Sequence, residues 1–228
     1  MCGRIVSYSP VEEVAANMDA TIDPIAKFSY QPSYNVPPSQ PLLIVCPVGK
    51  EADHERRLLL ASWGLLPHWA KDMSIAFKTF NARSETVTEK PSFRGAFKYR
   101  RCLIPVNGYY EWKRSGKAKQ PYYFSRSEGN APVVLAGLFE LWRDERLTCT
   151  VITTEANPMA RDVHPRMPVV LEPDHWQQWL MGSPEDAHEL LRPAAENALQ
   201  CYSVGDAVNS VKNDRPELIV PSSIPTSK

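Results

Sequence analysis

The chain opens Met1-Cys2-Gly3-Arg4, and Cys2 is the residue with the most reactive chemistry to offer. Its side chain is small, so an aminopeptidase can remove Met1. Cys2 would then carry a free α-amine and a thiol on one residue. An unperturbed α-amine titrates near about 7.7–8.0 and a thiol near about 8.5, so both are partly nucleophilic at neutral pH. The amine condenses with an aldehyde to an imine, and the thiol can then close a five-membered thiazolidine ring. The plainer reading keeps Met1 and makes Cys2 a small buried hydrophobe.

Three other places combine residue types that do chemistry. In Asn81-Ala82-Arg83-Ser84-Glu85, Asn81 can orient a carbonyl or hydroxyl, and Arg83 can hold a phosphate in its planar fork. The alternative there is a turn with a surface salt bridge. In Gly108-Tyr109-Tyr110-Glu111-Trp112-Lys113, one carboxylate sits among three aromatics. Burial would raise its pKa and let Glu111 move a proton near neutrality. Exposure would leave it balancing Lys113. In Asp162-Val163-His164-Pro165-Arg166-Met167-Pro168, His164 is of the residue type suited to proton transfer and the following proline stiffens its loop. Arg166 adds a second cation for phosphate.

These residues need elements to carry them. Ser9-Pro10-Val11-Glu12 reads as a capping box that starts a helix running from Pro10 to about Asp19. The Pro-rich stretch from Pro24 to Pro41 reads as an ordered, extended loop. Strands are expected at Leu42–Cys46, Arg57–Trp63, Cys102–Val106, Pro121–Ser125, Val133–Phe139, Leu147–Thr153, Met167–Leu171 and Cys201–Val204. Gly49–Glu55 reads as a turn and Arg114–Gln120 as a hairpin loop. Helices are expected at Glu155–Arg161, Pro173–Met181 and Pro184–Leu191, the last capped by Ser183. Many short strands with few helices predict a single α+β domain over residues 1–220 with a β-rich, barrel-like antiparallel core. The small polar tail 221–228 reads as disordered.

Composition narrows the function classes. At 228 residues and 43% hydrophobic, the chain can bury a real core. No apolar run approaches the ~20 residues that span a membrane, and no signal peptide is visible, so a cytoplasmic setting is expected, nucleoid-associated if the source is bacterial. Cys46, Cys102, Cys149 and Cys201 are far apart and sit in or beside apolar runs, which fits core filling rather than a zinc site or disulfide framework. H-E-x-x-H, C-x-x-C, G-x-S-x-G and G-x-G-x-x-G are all absent, so neither metal nor organic cofactor is expected.

Net charge is zero, yet the charge is unevenly placed. Arg94, Lys98, Arg100, Arg101, Lys113, Arg114, Lys117 and Lys119 face a single acid, Glu111, across residues 94–119, interleaved with Phe97, Tyr99, Tyr109, Tyr110 and Trp112. Cations neutralise phosphates and aromatic faces stack bases, a mixture suited to single-stranded nucleic acid. A solvated basic hairpin beside a core is the alternative.

The ordered blocks Met1-Cys2-Gly3-Arg4, Tyr34-Asn35-Val36-Pro37-Pro38, Trp63-Gly64-Leu65-Leu66-Pro67-His68-Trp69 and Asn81-Ala82-Arg83-Ser84-Glu85-Thr86 continue with Gly108 to Lys113, His164 to Pro168, and Val208-Asn209-Ser210 before Asn213. Together they resemble the SOS-response-associated peptidase (SRAP) family of abasic site processing proteins. The resemblance implies a sensor that crosslinks to abasic sites in single-stranded DNA as part of a DNA damage response. It makes Cys2 the crosslinking nucleophile after removal of Met1, with Asn81, Glu111 and His164 completing the site and a lyase side activity open to it. Arg4, Arg83 and Arg166 match positions that contact phosphates. Pro38 and Trp69 match positions that pack on flanking bases, and Trp112 joins the DNA-binding set. Glu89-Lys90-Pro91 departs from the family pattern in being less basic. No membrane or metal partner is implied, and a monomer is expected. Two other classes fit parts of the chain: an N-terminal-nucleophile cysteine amidase or peptidase using the same thiol, and a reversible single-strand binding module with no covalent step.

Overall fold

A computed structural model describes residues 2–48, 55–116, 118–127, 129 and 131–222. The chain runs β1 (Ile5–Ser7), α1 (Val11–Met18), β2 (Ala20–Ile22), α2 (Pro24–Ser29), β3 (Ser33–Val36), β4 (Pro41–Val48) and β5 (Glu55–Trp63). It continues with β6 (Asn81–Arg83), α3 (Arg94–Tyr99), β7 (Arg101–Val106), β8 (Gly108–Ser115), β9 (Ala118–Arg126), β10 (Val133–Trp142) and β11 (Arg146–Glu155). It ends with α4 (Pro158–Arg161), β12 (Arg166–Pro168), α5 (Trp176–Met181), α6 (Pro184–Glu189) and β13 (Leu199–Ser203).

The strands form two sheets. The larger has the order β12-β11-β10-β7-β4-β5-β2, and β5 also pairs with β11, which closes β11-β10-β7-β4-β5 into a ring. The closing contact is parallel, with Cys149 opposite Trp63. The smaller sheet has the order β13-β9-β8-β1-β3. The expected α+β class with a barrel-like, largely antiparallel core is therefore observed.

The strand pleat sorts side chains into two apolar layers. Leu42, Ile44 and Cys46 of β4 join Trp63, Ile104 and Val151 in one cluster, which also takes in Cys2, Ile5, Tyr109 and Phe124 of the smaller sheet and its N-terminal lead. The alternate residues Leu43 and Val45 join Leu103, Ala136 and Ile152 in a second cluster, against Val14 and Met18 of α1, Phe97 of α3 and Trp179 of α5. Gly137 is required where β10 crosses β7: a Cβ there would lie 2.6 Å from Ile104 Cδ1 and 2.9 Å from Cys102 Sγ. Cys46, Cys102 and Cys149 are buried free thiols and Cys201 is partly buried.

Several local expectations are corrected. The first helix starts at Val11 with Pro10 as N-cap, because Pro10 keeps an extended ψ of 146°. Ser9 makes no cap; its hydroxyl donates to Glu13 at 3.1 Å. The stretch after Pro24 is helical through Ser29, since Asp23 accepts from the Ile25 N–H and Pro24 fits the first helical turn. Residues 94–99, read as a basic and aromatic run, form α3. The strand β11 runs on through Glu155, so its following helix is only Pro158–Arg161. The expected Arg114–Gln120 loop is largely strand, because β8 extends to Ser115 and β9 begins at Ala118. Lys117 lies outside the described residues, as do residues 49–54 of the expected Gly49–Glu55 turn. Ser183 caps α6 in a full capping box with Asp186. At the expected tail, Pro221 bridges Val204, and residues 223–228 lie outside the described residues. Among the described residues, no helix is long and apolar enough to cross a membrane.

Candidate active site

Cys2 is fully buried. It leads directly into β1, which is held between β3 and β8, with Ile5 opposite Tyr109 of β8. That pairing brings the chain start to the strand carrying the lone carboxylate. Side chains alternate along β8, so Tyr109 and Glu111 share one face while Tyr110 and Trp112 take the other. Gly108 precedes them because Phe124 O and the Tyr123 ring fill the place of a Cβ.

Asn81 reaches Cys2 from the larger sheet. It opens β6, which runs parallel to β11 with Asn81 opposite Val151. Ala82 is buried in the core, which turns its two neighbours the other way. Asn81 Nδ2 donates to Cys2 O at 2.6 Å. Its Oδ1 is buried without a hydrogen-bond partner among the described residues.

His164 arrives on the loop between α4 and β12. The loop is tied down by His164 N–H to Ala160 O at 2.9 Å and Ala156 N–H to Pro165 O at 3.0 Å. The ring nitrogen Nδ1 accepts from Arg166 N–H at 3.0 Å. The same Nδ1 lies 3.1 Å from Arg166 O, so which of the two contacts it makes depends on the tautomer. Nδ1 also stands 4.0 Å from Glu111 Oε1. Cys2, Asn81, Glu111 and His164 are thus drawn from four separate parts of the chain to one place.

The electrostatics follow from burial. Glu111 is 3% exposed. Burial raises its pKa above the usual carboxylate range, opposed in part by His164. Burial pushes the Cys2 thiol far up, and an ionised Glu111 adds to that shift. A buried carboxyl beside a histidine can accept and return protons.

Glu111 and His164 line a cleft of about 470 Å³ whose other walls are Arg4, Trp112, Arg114, Lys119 and Asn209. Arg4 donates to Asn35 Oδ1 at 2.7 Å and Val208 O at 2.9 Å, with its guanidinium 5.8 Å from the Trp112 ring centroid. Trp112 Nε1 donates to Asn209 Oδ1 at 2.7 Å.

The remaining sequence candidates lie elsewhere. Arg83, at the end of β6, is exposed. Arg166 is held by both carboxylate oxygens of Glu85 and donates to Thr153 O at 2.6 Å. Pro38 is partly exposed in the β3–β4 turn, and Trp69 is 47% exposed on the β5–β6 connection. None of these four lines the cleft.

Three residues that no motif role had singled out also shape the site. Asn35 ties the chain end to it, donating to Ser210 O at 3.0 Å and Asn213 O at 2.7 Å. Asn209 braces Trp112. Tyr109 lies buried beside Cys2 in the same apolar cluster. Asn35 and Asn209 were visible only as polar members of their sequence blocks. Among the described residues, no group of three or more His, Cys, Asp or Glu could hold a metal ion.

The family model for the SOS response associated peptidase (SRAP) matches residues 1–211. The chain belongs to the SRAP family. Within it, the chain is 42% identical to the abasic site processing protein YoaM of Bacillus subtilis, over 96% of this chain and 97% of that protein. It is 34% identical to the abasic site processing protein HMCES of Gallus gallus, over 84% of this chain and 67% of that one. The SRAP fold also matches a crystal structure of a Bacteroides thetaiotaomicron protein, with a TM-score of 0.84 at 25% identity, covering 97% of this chain and all of that one.

Proposed function

We propose that this protein processes abasic sites in single-stranded DNA by forming a covalent thiazolidine crosslink through Cys2, once Met1 is removed. The observation that carries this reading is the hydrogen bond from Asn81 to the Cys2 carbonyl, together with a buried Glu111 that stands 4.0 Å from the part-buried His164 and acts on the Cys2 thiol. The names of the SRAP relatives point the same way.

An abasic sugar opens to an aldehyde. The Cys2 amine adds to that carbon, water leaves, and an imine remains. The thiol then adds to the imine carbon and closes the ring. Glu111 takes the proton from the attacking amine and returns one to the departing hydroxyl. His164 assists opening of the sugar and, in reverse, release of the crosslink. Asn81 Nδ2 fixes the N-terminal residue, so that amine and thiol meet one carbon in sequence. An imine at C1′ acidifies the C2′ protons, which opens a path to slow strand cleavage as a side reaction. Self-removal of Met1 by the same groups is the peptidase activity of this reading.

Arg4 and Trp112 in the cleft, with Arg114 and Lys119, offer charge and a stacking face to one flank of the lesion. Arg83, Arg166, Pro38 and Trp69 serve the remainder of the strand. Single strands are favoured because turning out the sugar costs least where no duplex must open. The protein acts within the compartment that holds DNA, as a monomer.

The test is a denaturing gel after incubation with single-stranded DNA bearing an abasic site. A covalent complex is expected that Cys2→Ala abolishes. Equal crosslinking by Cys2→Ala overturns the reading. Turnover of amide substrates without any crosslink would instead make the chain an N-terminal-nucleophile amidase.

A further inference from the structure

We infer that Arg114 and Lys119 clamp one phosphate between them, so that the end of the β8–β9 hairpin fixes the nucleotide beside the lesion. The inference deepens the DNA-binding part of the reading above and rests on it.

Arg114 of β8 lies directly opposite Lys119 of β9. The pairing is unbroken from Tyr109 with Phe124 to Ser115 with Ala118, so the register holds to the end of both strands. Directly opposed residues of an antiparallel pair point the same way, with Cβ atoms about 4.5–5.5 Å apart. Two cations are thus set side by side, and like charges in that position cost stability. Both are exposed, and both line the cleft that Glu111 and His164 share. Among the described residues, no carboxylate forms an ion pair with either.

The rest of the cleft has the same sign. Arg4 gives its hydrogen bonds to neutral oxygens, Asn35 Oδ1 and Val208 O. Glu111 is the only acid among the described residues of the wall, and it is buried. A phosphate between Arg114 and Lys119 turns their repulsion into two charge-assisted hydrogen bonds. The spacing fits a strand of DNA. Trp112 precedes Arg114 by two residues on the same face of β8, opposite Pro121. Two strand residues span about 7 Å, roughly the length of one extended nucleotide. Trp112 is fixed by its bond to Asn209 and by Arg4 over its ring. A base stacked on Trp112 therefore brings an adjacent phosphate over the two cations. Neighbouring phosphates of an extended strand lie farther apart than the two Cβ atoms, so the pair serves one phosphate and not two.

The experiment titrates undamaged single-stranded DNA with wild type, Arg114→Gln, Lys119→Gln and the double variant at several salt concentrations. Either cation alone still neutralises a shared phosphate. Each single variant should keep the wild-type slope of log K against log salt and bind about threefold more weakly. The double variant should lose about 0.7 of slope, the value of one phosphate, and bind about tenfold more weakly at low salt. All three should melt at or above wild type, because a like-charge pair is relieved. Losses of about 0.7 in each single variant and about 1.4 in the double would assign two separate phosphates and overturn the inference. Unchanged slope and affinity in the double variant overturn it too, leaving a solvated basic hairpin.

A second arm locates the phosphate. Abasic single strands carry one uncharged methylphosphonate linkage at successive positions, and crosslinking is timed at limiting protein. Wild type should slow at one linkage beside the lesion, and the double variant should be insensitive there. Equal sensitivity of the two proteins at every position overturns the inference. Failure of wild type to crosslink at all sinks the covalent reading instead, while the salt slopes still decide the clamp.

Discussion

Asn81 Nδ2 donates to the carbonyl oxygen of Cys2 at 2.6 Å, joining the first residue of β6 to the lead of β1. The bond fixes the backbone of the residue whose amine and thiol must reach one carbon. Asn81→Ala removes both the donor and the buried Oδ1; Asn81→Asp keeps an acceptor but sets a carboxylate against the carbonyl. Both should slow single-turnover crosslinking by about ten- to a hundredfold, with aspartate the worse. Rates from a quenched gel series decide it. Wild-type rates in Asn81→Asp would show that the donated bond does not position Cys2.

Glu111 links stability to pH. Its ordinary value is 4.5, and burial raises it in the folded state. Between those two values the folded protein binds the proton more tightly than the unfolded chain. The contribution of Glu111 is therefore full below about 4.5 and is lost as pH rises through the raised value. Glu111→Gln removes that slope. Thermal melts should place the variant at or above wild type at pH 8, with the gap closing in acid. Its crosslinking should fall by about 10²- to 10⁴-fold, because the proton carrier is gone. A variant less stable than wild type at pH 8 would contradict the cost of burying this charge.

Local signals were legible where chemistry is local. Ser183 with Asp186 reads directly as a helix start, and Leu147–Thr153 as a strand core, because a cap and an apolar run need no distant partner. The Asp23-Pro24 start of α2 was also local, but the prolines that follow masked it. The closure of the ring by Trp63 opposite Cys149 left no trace, since a register between distant strands is set by packing. The four catalytic candidates were visible as residue types. Their convergence was not, because the burial of Glu111 and its 4.0 Å approach to His164 depend on β8 and the α4–β12 loop meeting. Tyr109 was visible only as one aromatic of the Gly108–Lys113 block, and its burial against Phe124 follows from strand pairing.

Arg101 should be the strongest single stability residue away from the site. It is buried, and its guanidinium donates to Trp179 O at the end of α5, to Gly182 O just beyond, and to Phe97 O at 2.9 Å in α3. One planar fork thus caps two helix ends, a geometry lysine cannot copy. Arg101→Lys should cost about 2–4 kcal/mol in urea unfolding while leaving crosslinking per folded molecule unchanged. A loss under about 0.5 kcal/mol would show the carbonyls to be served as well by water.

Gly137→Ala should destabilise by about 1–3 kcal/mol, since the added methyl meets Ile104 Cδ1 at 2.6 Å and Cγ1 at 2.7 Å. Ile104→Val removes the Cδ1 atom. The double variant should recover part of the loss, giving a favourable coupling in a double-mutant cycle. Strict additivity would mean that the constraint is set not by Ile104 Cδ1 but by the atoms that remain, Cγ1 of residue 104 and Cys102 Sγ.

Arg83 and Arg166 differ in how much charge they can offer DNA. Arg83 is exposed, whereas Arg166 is gripped by Glu85. The same grip holds the Glu85 carboxyl below its usual range, through the hydrogen bond from Arg166. A phosphate must compete with that carboxylate for Arg166 but meets no such rival at Arg83 among the described residues. For reversible binding of undamaged single-stranded DNA, Arg83→Ala should therefore reduce the slope of log K against log salt by about 0.7, the value of one phosphate contact. Glu85→Gln should act oppositely, steepening the slope and tightening binding at low salt as the Arg166 charge is released. The effect should fade by about 0.5 M salt, where screening exceeds the gain. Titrations at several salt concentrations test both variants side by side. If Glu85→Gln leaves both slope and affinity unchanged, Arg166 serves the fold of the His164 loop rather than the DNA backbone.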